Sequence, residues 1–278
     1  MPAAAREPVV LDSVTHLTDE HRGRVALCMS HGGHYAAYYA AAKGVAALIL
    51  NDAGVGREQA GLAGLAYLEK LGVPAASVSH RSARIGDGRD GLARGVLSFA
   101  NRPAAALGVK PGLSSKQALE ILAAAGLPPA GEPPSEAEHR YEVAEASRDG
   151  VKVIAMDSIS LVRPDDAGHI IVAASHGGLL GGRPETAVKY PVFAAVTNDA
   201  DRGIDDAGVS RLLAMDARGI AGACVSAFSA RIGDGKSTFE DGYISTMNET
   251  ARKHGGEIGQ SCRTFVAAMV AARARQLK

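Results

Sequence analysis

The sequence predicts an α/β protein made of two homologous halves from an internal duplication. Each half is expected to be a mainly parallel sheet flanked by helices, and the two to be related by a pseudo-two-fold arrangement. Three observations predict this. Short continuous apolar runs rich in Val, Ile, Leu and Ala alternate with helical segments, the pattern of strands covered on both faces. Strand–helix–strand order implies parallel pairing through right-handed crossovers. Finally, the chain repeats itself, the feature to seek first because missing it misassigns the fold.

The repeat is read motif by motif. LDSVTHLT at 11–18 returns as MDSISLVR at 156–163, and CMSHGG at 28–33 returns as AASHGG at 173–178. NDAGVGREQAG at 51–61 returns as NDADRGIDDAG at 198–208, and SARIGDG at 82–88 returns unchanged at 229–235. The offset is 145 for the first two motifs and 147 for the last two, so two residues are inserted between SHGG and NDA. Over 51–88 against 198–235, 18 of 38 positions are identical, where unrelated sequences of ordinary composition match at roughly one in twenty. The halves span 1–124 and 150–278. Between them, 125–149 is a Pro-, Glu- and Ala-rich linker with one helical turn from Ser135.

In the first half, 9–11, 25–29, 45–50 and 75–78 are expected as strands. His34 to Lys43 is an Ala-rich helix ended by Gly44. Arg57 to Leu71 is a helix with Leu62, Leu65, Leu68 and Leu71 at helical spacing, ended by Gly72. Glycine just past a helix supplies the left-handed cap. In the second half, 151–156, 169–174, 192–197 and 222–226 are strands, with Val209 to Arg218 a helix before Gly219. One more strand per half falls at 95–101 and 242–248, and both halves finish on helices, Ser114 to Ala125 and Ser261 to Lys278. Glycine is 33 of 278 residues, above the usual roughly 7%, which fits many tight turns.

Composition excludes several functions. Thirty basic and thirty acidic side chains cancel, which gives a nucleic-acid surface or a polybasic membrane anchor no support. The longest plain apolar stretch, Val45 to Leu50, is far too short to span a bilayer. The N-terminus carries Glu7 and lacks a long apolar core, so it does not read as a signal peptide. Cys28, Cys224 and Cys262, with no CxxC spacing, favour a reducing, cytoplasmic setting without structural zinc.

The repeated polar residues fall immediately after strands, and ligands of open parallel sheets bind outside the carboxyl ends of strands. Four motifs from four strand ends are therefore expected to converge on one rim. His31 and His176 are the acid/base candidates, with Asp52 and Asp199 orienting them. The Gly32-Gly33 and Gly177-Gly178 amides are candidate oxyanion donors, the competing reading being a strand-to-helix turn. Arg84 and Arg231 are candidate anchors for a carboxylate, with Ser30, Ser82, Ser175 and Ser229 holding substrate. Asp12, Asp157, Asn51, Asn198, Asp87 and Asp234 are supporting candidates; the competing reading of the first four is a helix cap, and that of Asp87 and Asp234 an ordinary Gly-Asp-Gly turn with an ion pair to the neighbouring arginine.

Two look-alikes are set aside. Residues 230–237, ARIGDGKS, fit a loosened P-loop, but no helix is expected after them and the sister copy lacks Lys-Ser. GVGREQAG at 54–61 has the wrong spacing for a dinucleotide turn. No cofactor is predicted. A divalent cation held by His31 with Asp52 or Asp87, or by Asp199, Asp201, Asp205 and Asp206, is a lesser option.

The function expected is an enzyme on a small anionic metabolite, hydrolysing an amide, lactone or related carbonyl bond. The alternatives are a lyase or isomerase that abstracts a proton next to a carboxylate, and a non-catalytic anion sensor. Self-association is left open, as is whether one or both repeats carry a working site.

Overall fold

The computed structural model describes residues 7–278; residues 1–6, part of the stretch read for a leader, lie outside the described residues. The chain is α/β, with two mainly parallel sheets of five and six strands flanked by helices. It divides into two compact units. Of the described residues, the first contains 7–55, 59–136 and 202–207, and the second 56–58, 137–201 and 208–278.

In the first unit the order is β1 (Val9–Leu11), β2 (Val25–His31), α1 (His34–Ala42), β3 (Ala47–Asn51), α2 (Ala63–Lys70), β4 (Ala75–Val78), α3 (Gly88–Arg94), β5 (Leu97–Ala100), α4 (Arg102–Ala106) and α5 (Ser115–Ala124). The strands lie side by side in chain order; β1 to β4 are parallel and β5 runs antiparallel on β4. Alternating side chains explain why these strands lack polar positions. Ala26, Cys28, Leu48 and Leu50 pack with Ala36, Ala37, Leu65 and Leu68 of α1 and α2. Leu27, Met29, Ala47 and Ile49 pack on the other face with Ala118, Leu119 and Leu122 of α5. Both faces are dry, and each fully buried Leu or Ile contributes roughly 1.5–3 kcal/mol.

In the second unit the order is β6 (Arg140–Glu142), β7 (Val153–Met156), β8 (Ile170–His176), β9 (Ala194–Asn198), α6 (Arg211–Asp216), β10 (Ala221–Val225), α7 (Gly235–Asp241), β11 (Ile244–Met247), α8 (Glu249–Lys253) and α9 (Cys262–Gln276). β7 to β10 are parallel, with antiparallel β6 and β11 at the edges. Phe265, Val266, Met269 and Val270 of α9 cover one face. Met215, Ile220, Val188 and Val192 cover the other.

Three local expectations are corrected. The segment 57–71 is not one helix: a 3-10 turn occupies Arg57–Leu62 before α2. Glu58 and Gln59 have φ of +53° and +58°, and a Cβ on Gly61 would lie 2.2 Å from the Asp52 carbonyl, so the backbone there is folded down against its own loop. The helical turn from Ser135 is not formed. Arg140–Glu142 instead pairs antiparallel with β7, its Arg140 guanidinium held by buried Asp166 at 2.5 Å. The Gly-Asp-Gly sequences do not close turns but open α3 and α7, because Asp87 and Asp234 accept the Asp90 and Ser237 amides at 3.0 and 2.9 Å as N-caps. Only glycine fits next, since a Cβ on Gly88 or Gly235 would lie within 2.7 Å of the Leu11 or 2.6 Å of the Met156 backbone. In the second unit two 3-10 turns, Leu180–Gly182 and Pro184–Thr186, stand where α1 stands in the first. There the Thr186 and Ala187 carbonyls accept from buried Arg211 while Arg218 donates to Val188 at 2.7 Å.

Gly44, Gly72 and Gly219 end helices at φ +70°, +71° and +66°, the conformation for which a glycine was expected. Among the described residues no helix is long and apolar enough to cross a membrane.

Candidate functional site

The sequence motifs fall at the carboxyl ends of the parallel strands within each unit. In the first, Asp12 follows β1, Ser30 and His31 end β2, Asn51 ends β3 with Asp52 next, and the 79–88 loop follows β4. In the second, Asp157, Ser175, His176, Asn198, Asp199 and the 226–235 loop take the same places on β7 to β10.

Most of these groups are engaged by their own loops. The Asp12 and Asp157 carboxylates accept the Gly88 and Gly235 amides at 2.9 Å each. Ser30 and Ser175 hydroxyls accept Val14 and Ile159 amides at 2.8 and 2.9 Å. Ser82 donates to the Ser79 carbonyl and accepts the Val96 amide, and Ser229 does the same with Ser226 and Tyr243. Asn51 and Asn198 accept the amides two residues on, both at 2.9 Å.

The oxyanion reading of the glycines is corrected. Gly32 and Gly177 donate to the Asn51 and Asn198 carbonyls at 2.7 Å, and Gly33 and Gly178 donate to Nδ1 of His31 and His176 at 3.2 and 3.1 Å. The glycines are needed for a close crossing, since a Cβ on Gly32 would lie 2.3 Å from the Gly61 carbonyl oxygen. The two arginines lie among carboxylates. Arg84 faces Asp87, Asp90 and Asp205 at 3.1, 3.2 and 3.5 Å. Arg231 faces Asp234 and Glu58 at 3.0 and 3.2 Å. Each guanidinium is thus neutralised by carboxylates of its own unit. A helix does follow ARIGDGKS, where none was expected. The start of α7 is nevertheless filled by the Asp234 and Asp157 carboxylates, which occupy the place of a phosphate.

The two repeated histidines are held alike. Accepting at Nδ1 fixes the neutral ring of His31 and of His176 with its proton on Nε2. Burial pushes the His31 imidazolium down to about 4, so this ring is neutral at pH 7. Its Nδ1 accepts the Gly33 amide, and the Asp52 carboxylate bonds other groups.

Asp52 serves a different imidazole. Its Oδ1 accepts from the His80 amide at 2.9 Å and from His80 Nδ1 at 2.7 Å, and its Oδ2 accepts from the Ser98 hydroxyl at 2.7 Å. Burial would raise the Asp52 carboxyl, but the bonds from His80 and Ser98 overcome this and hold it below the ordinary carboxylate range. With Nδ1 donating to Asp52, the lone pair of His80 lies on Nε2, towards which Arg81 Nε points at 3.4 Å. In the second unit Asp199 accepts instead from the Asp201 and Ala227 amides at 3.0 and 2.8 Å; the residue answering His80 is Ala227. His80 escapes a reading built on repetition because it occurs once. The remaining signal was positional, a Ser-His pair immediately after β4.

His31 pairs across β2 and β3 with Asn51, whose neighbour Asp52 holds His80 from the end of β4. Two neutral-capable imidazoles thus flank the end of β3, with backbones roughly 10 Å apart by the spacing of two strands. Among the described residues, no three His, Cys, Asp or Glu side chains gather as a metal ion would require. Comparison with protein-family models, curated proteins and solved structures finds no match to this chain.

Proposed function

We propose that the chain is an enzyme that hydrolyses a small carbonyl compound, an ester, lactone or amide, at the rim of the first unit. The observation that carries this reading is the buried Asp52–His80 pair at 2.7 Å. A carboxylate on Nδ1 fixes the tautomer and stabilises the imidazolium that forms when Nε2 takes a proton. Water is the nucleophile, because Ser30 and Ser82 are engaged with backbone groups. As Arg81 Nε gives up its bond to His80 Nε2 and the water oxygen bonds to the carbonyl carbon, the water proton passes to His80 Nε2. The bond to the leaving oxygen or nitrogen then breaks with its electron pair, and the imidazolium returns the proton to it. Arg84, Arg231 and the glycine amides have no part in this scheme.

The matching hydrogen bonds of Asp12 and Asp157, Ser30 and Ser175, and His31 and His176 also support descent of the two halves from one duplicated ancestor. His80 then belongs to what the first half gained or the second half lost.

Hydrolysis of 4-nitrophenyl acetate and of a panel of lactones and cyclic amides tests the reading. His80→Gln and Asp52→Asn are each expected to lower kcat by about 100-fold, the usual scale of acid/base catalysis. Turnover unchanged in His80→Gln, or no turnover of any of these compounds by the unaltered protein, overturns it.

A further inference from the structure

Position 211 answers position 64 of the first half, and the two are built oppositely. Both donate their amides to the SHGG crossing, Gly64 to the Gly32 carbonyl at 2.9 Å and Arg211 to the Gly177 carbonyl at 2.8 Å. A Cβ on Gly64 would lie 2.8 Å from both the Ala37 side chain of α1 and the Gly33 carbonyl oxygen, so the first unit admits no side chain there. In the second unit 3-10 turns replace α1, and the Arg211 guanidinium reaches their Thr186 carbonyl and that of Ala187, the latter at 2.6 Å.

That guanidinium is an anomaly of charge. Arg211 is 3% exposed, and among the described residues no carboxylate pairs with it. Burial pushes it down to about 10, which leaves it charged at pH 7. A buried charge without a counter-charge is among the costliest features a fold can carry. Both carbonyls accept from Nη1, and no protein group accepts from the buried Nε. The edge formed by Nε and Nη2 is therefore left for another partner. Arg94 shows what that edge takes in this protein, holding Asp90 through Nε to Oδ1 at 2.7 Å and Nη2 to Oδ2 at 2.8 Å.

We propose that Arg211 anchors a binding site for a small monocarboxylate, beneath the loop 178–187 at the carboxyl end of β8. One guanidinium charge is matched by one carboxylate charge, whereas a phosphate dianion would leave surplus charge buried. The way in is the loop itself, since 181–185 are exposed and Gly182 has open space around it. The site belongs to the second unit and does not depend on Asp52 and His80.

Equilibrium dialysis with radiolabelled acetate at constant ionic strength tests this. One acetate per chain is expected, displaced by propionate and not by chloride. Arg211→Lys, which keeps the charge but loses the fork, is expected to weaken binding by about 10- to 100-fold. In the unaltered protein the Arg211 Nε–H resonance is expected to shift as acetate is added, and this decides the matter alone should Arg211→Lys not fold. No saturable acetate binding, binding unchanged in Arg211→Lys, or a resonance that does not move each overturns the site. Phosphate bound as tightly as acetate overturns the choice of a monocarboxylate. The Cys224 thiol acts electrostatically on Arg211 and lies 3.2 Å from the Thr197 hydroxyl. Thiolate absorbance at pH 7 that disappears in Cys224→Ser would make that sulfur the counter-charge and overturn the proposal.

Discussion

Replacing His31 by Asn offers a direct measure of what its burial costs. Asn keeps an acceptor near the place of Nδ1 for the Gly33 amide, bonded at 3.2 Å, but does not titrate. In the unfolded chain the imidazole takes up a proton near its ordinary value of 6.5, whereas burial in the folded chain defers protonation to about 4. Below pH 6.5 the unfolded state therefore binds more protons than the folded one. The stability linked to this ring is present at neutral pH and is lost as pH falls from 6.5 towards 4. A tenfold difference in proton affinity is worth about 1.4 kcal/mol, which gives a loss of about 2 kcal/mol by pH 5 and about 3 kcal/mol by pH 4. Urea unfolding of both proteins at pH 7, 6, 5 and 4.5 measures it. The stability difference between them should move in favour of the Asn variant by those amounts as pH falls. A difference that stays constant across the series would refute the buried, neutral imidazole.

Asn101→Ala should destabilise the first unit by about 2–4 kcal/mol in urea unfolding, because its side chain caps α4 and also bonds the Ala75 amide and Val73 carbonyl, both at 2.9 Å. Asn248→Ala should act alike through the Gly222 amide and Ile220 carbonyl. Gly235→Ala should lower stability by about 1–3 kcal/mol or more, since its Cβ would lie 2.6 Å from the Met156 backbone; an unchanged melting temperature contradicts that packing. Val55→Gly should raise stability by up to about 1 kcal/mol in the same urea assay, since a β-branched residue at φ +64° carries strain that glycine lacks.

The strands were legible because both of their faces are dry, so Val25–Met29 and Ile170–Ala174 show unbroken apolar runs. The helices α3 and α7 were not, because Gly-Asp-Gly ordinarily marks a turn. Only the assembled sheet shows that Asp12 and Asp157 wait beneath Gly88 and Gly235 to receive their amides. The rim location of the motifs could be read from their place after strands. Which groups were open for chemistry could not, since that depends on crossings distant in sequence, such as Gly32 under Gly61. Repetition is also a poor guide to chemistry here. Asn51 with Asn198 and Ser82 with Ser229 recur and fasten loops, and Asp52 recurs as Asp199, but His80, which bonds Asp52, stands outside the repeated pattern.

The neutralised guanidiniums of Arg84 and Arg231 have a consequence for how any ligand is captured. With their charges already matched by nearby carboxylates, neither projects a long-range field into solution. Association at these rims then owes little to electrostatic steering, and affinity should hardly respond when ionic strength rises from millimolar to physiological salt.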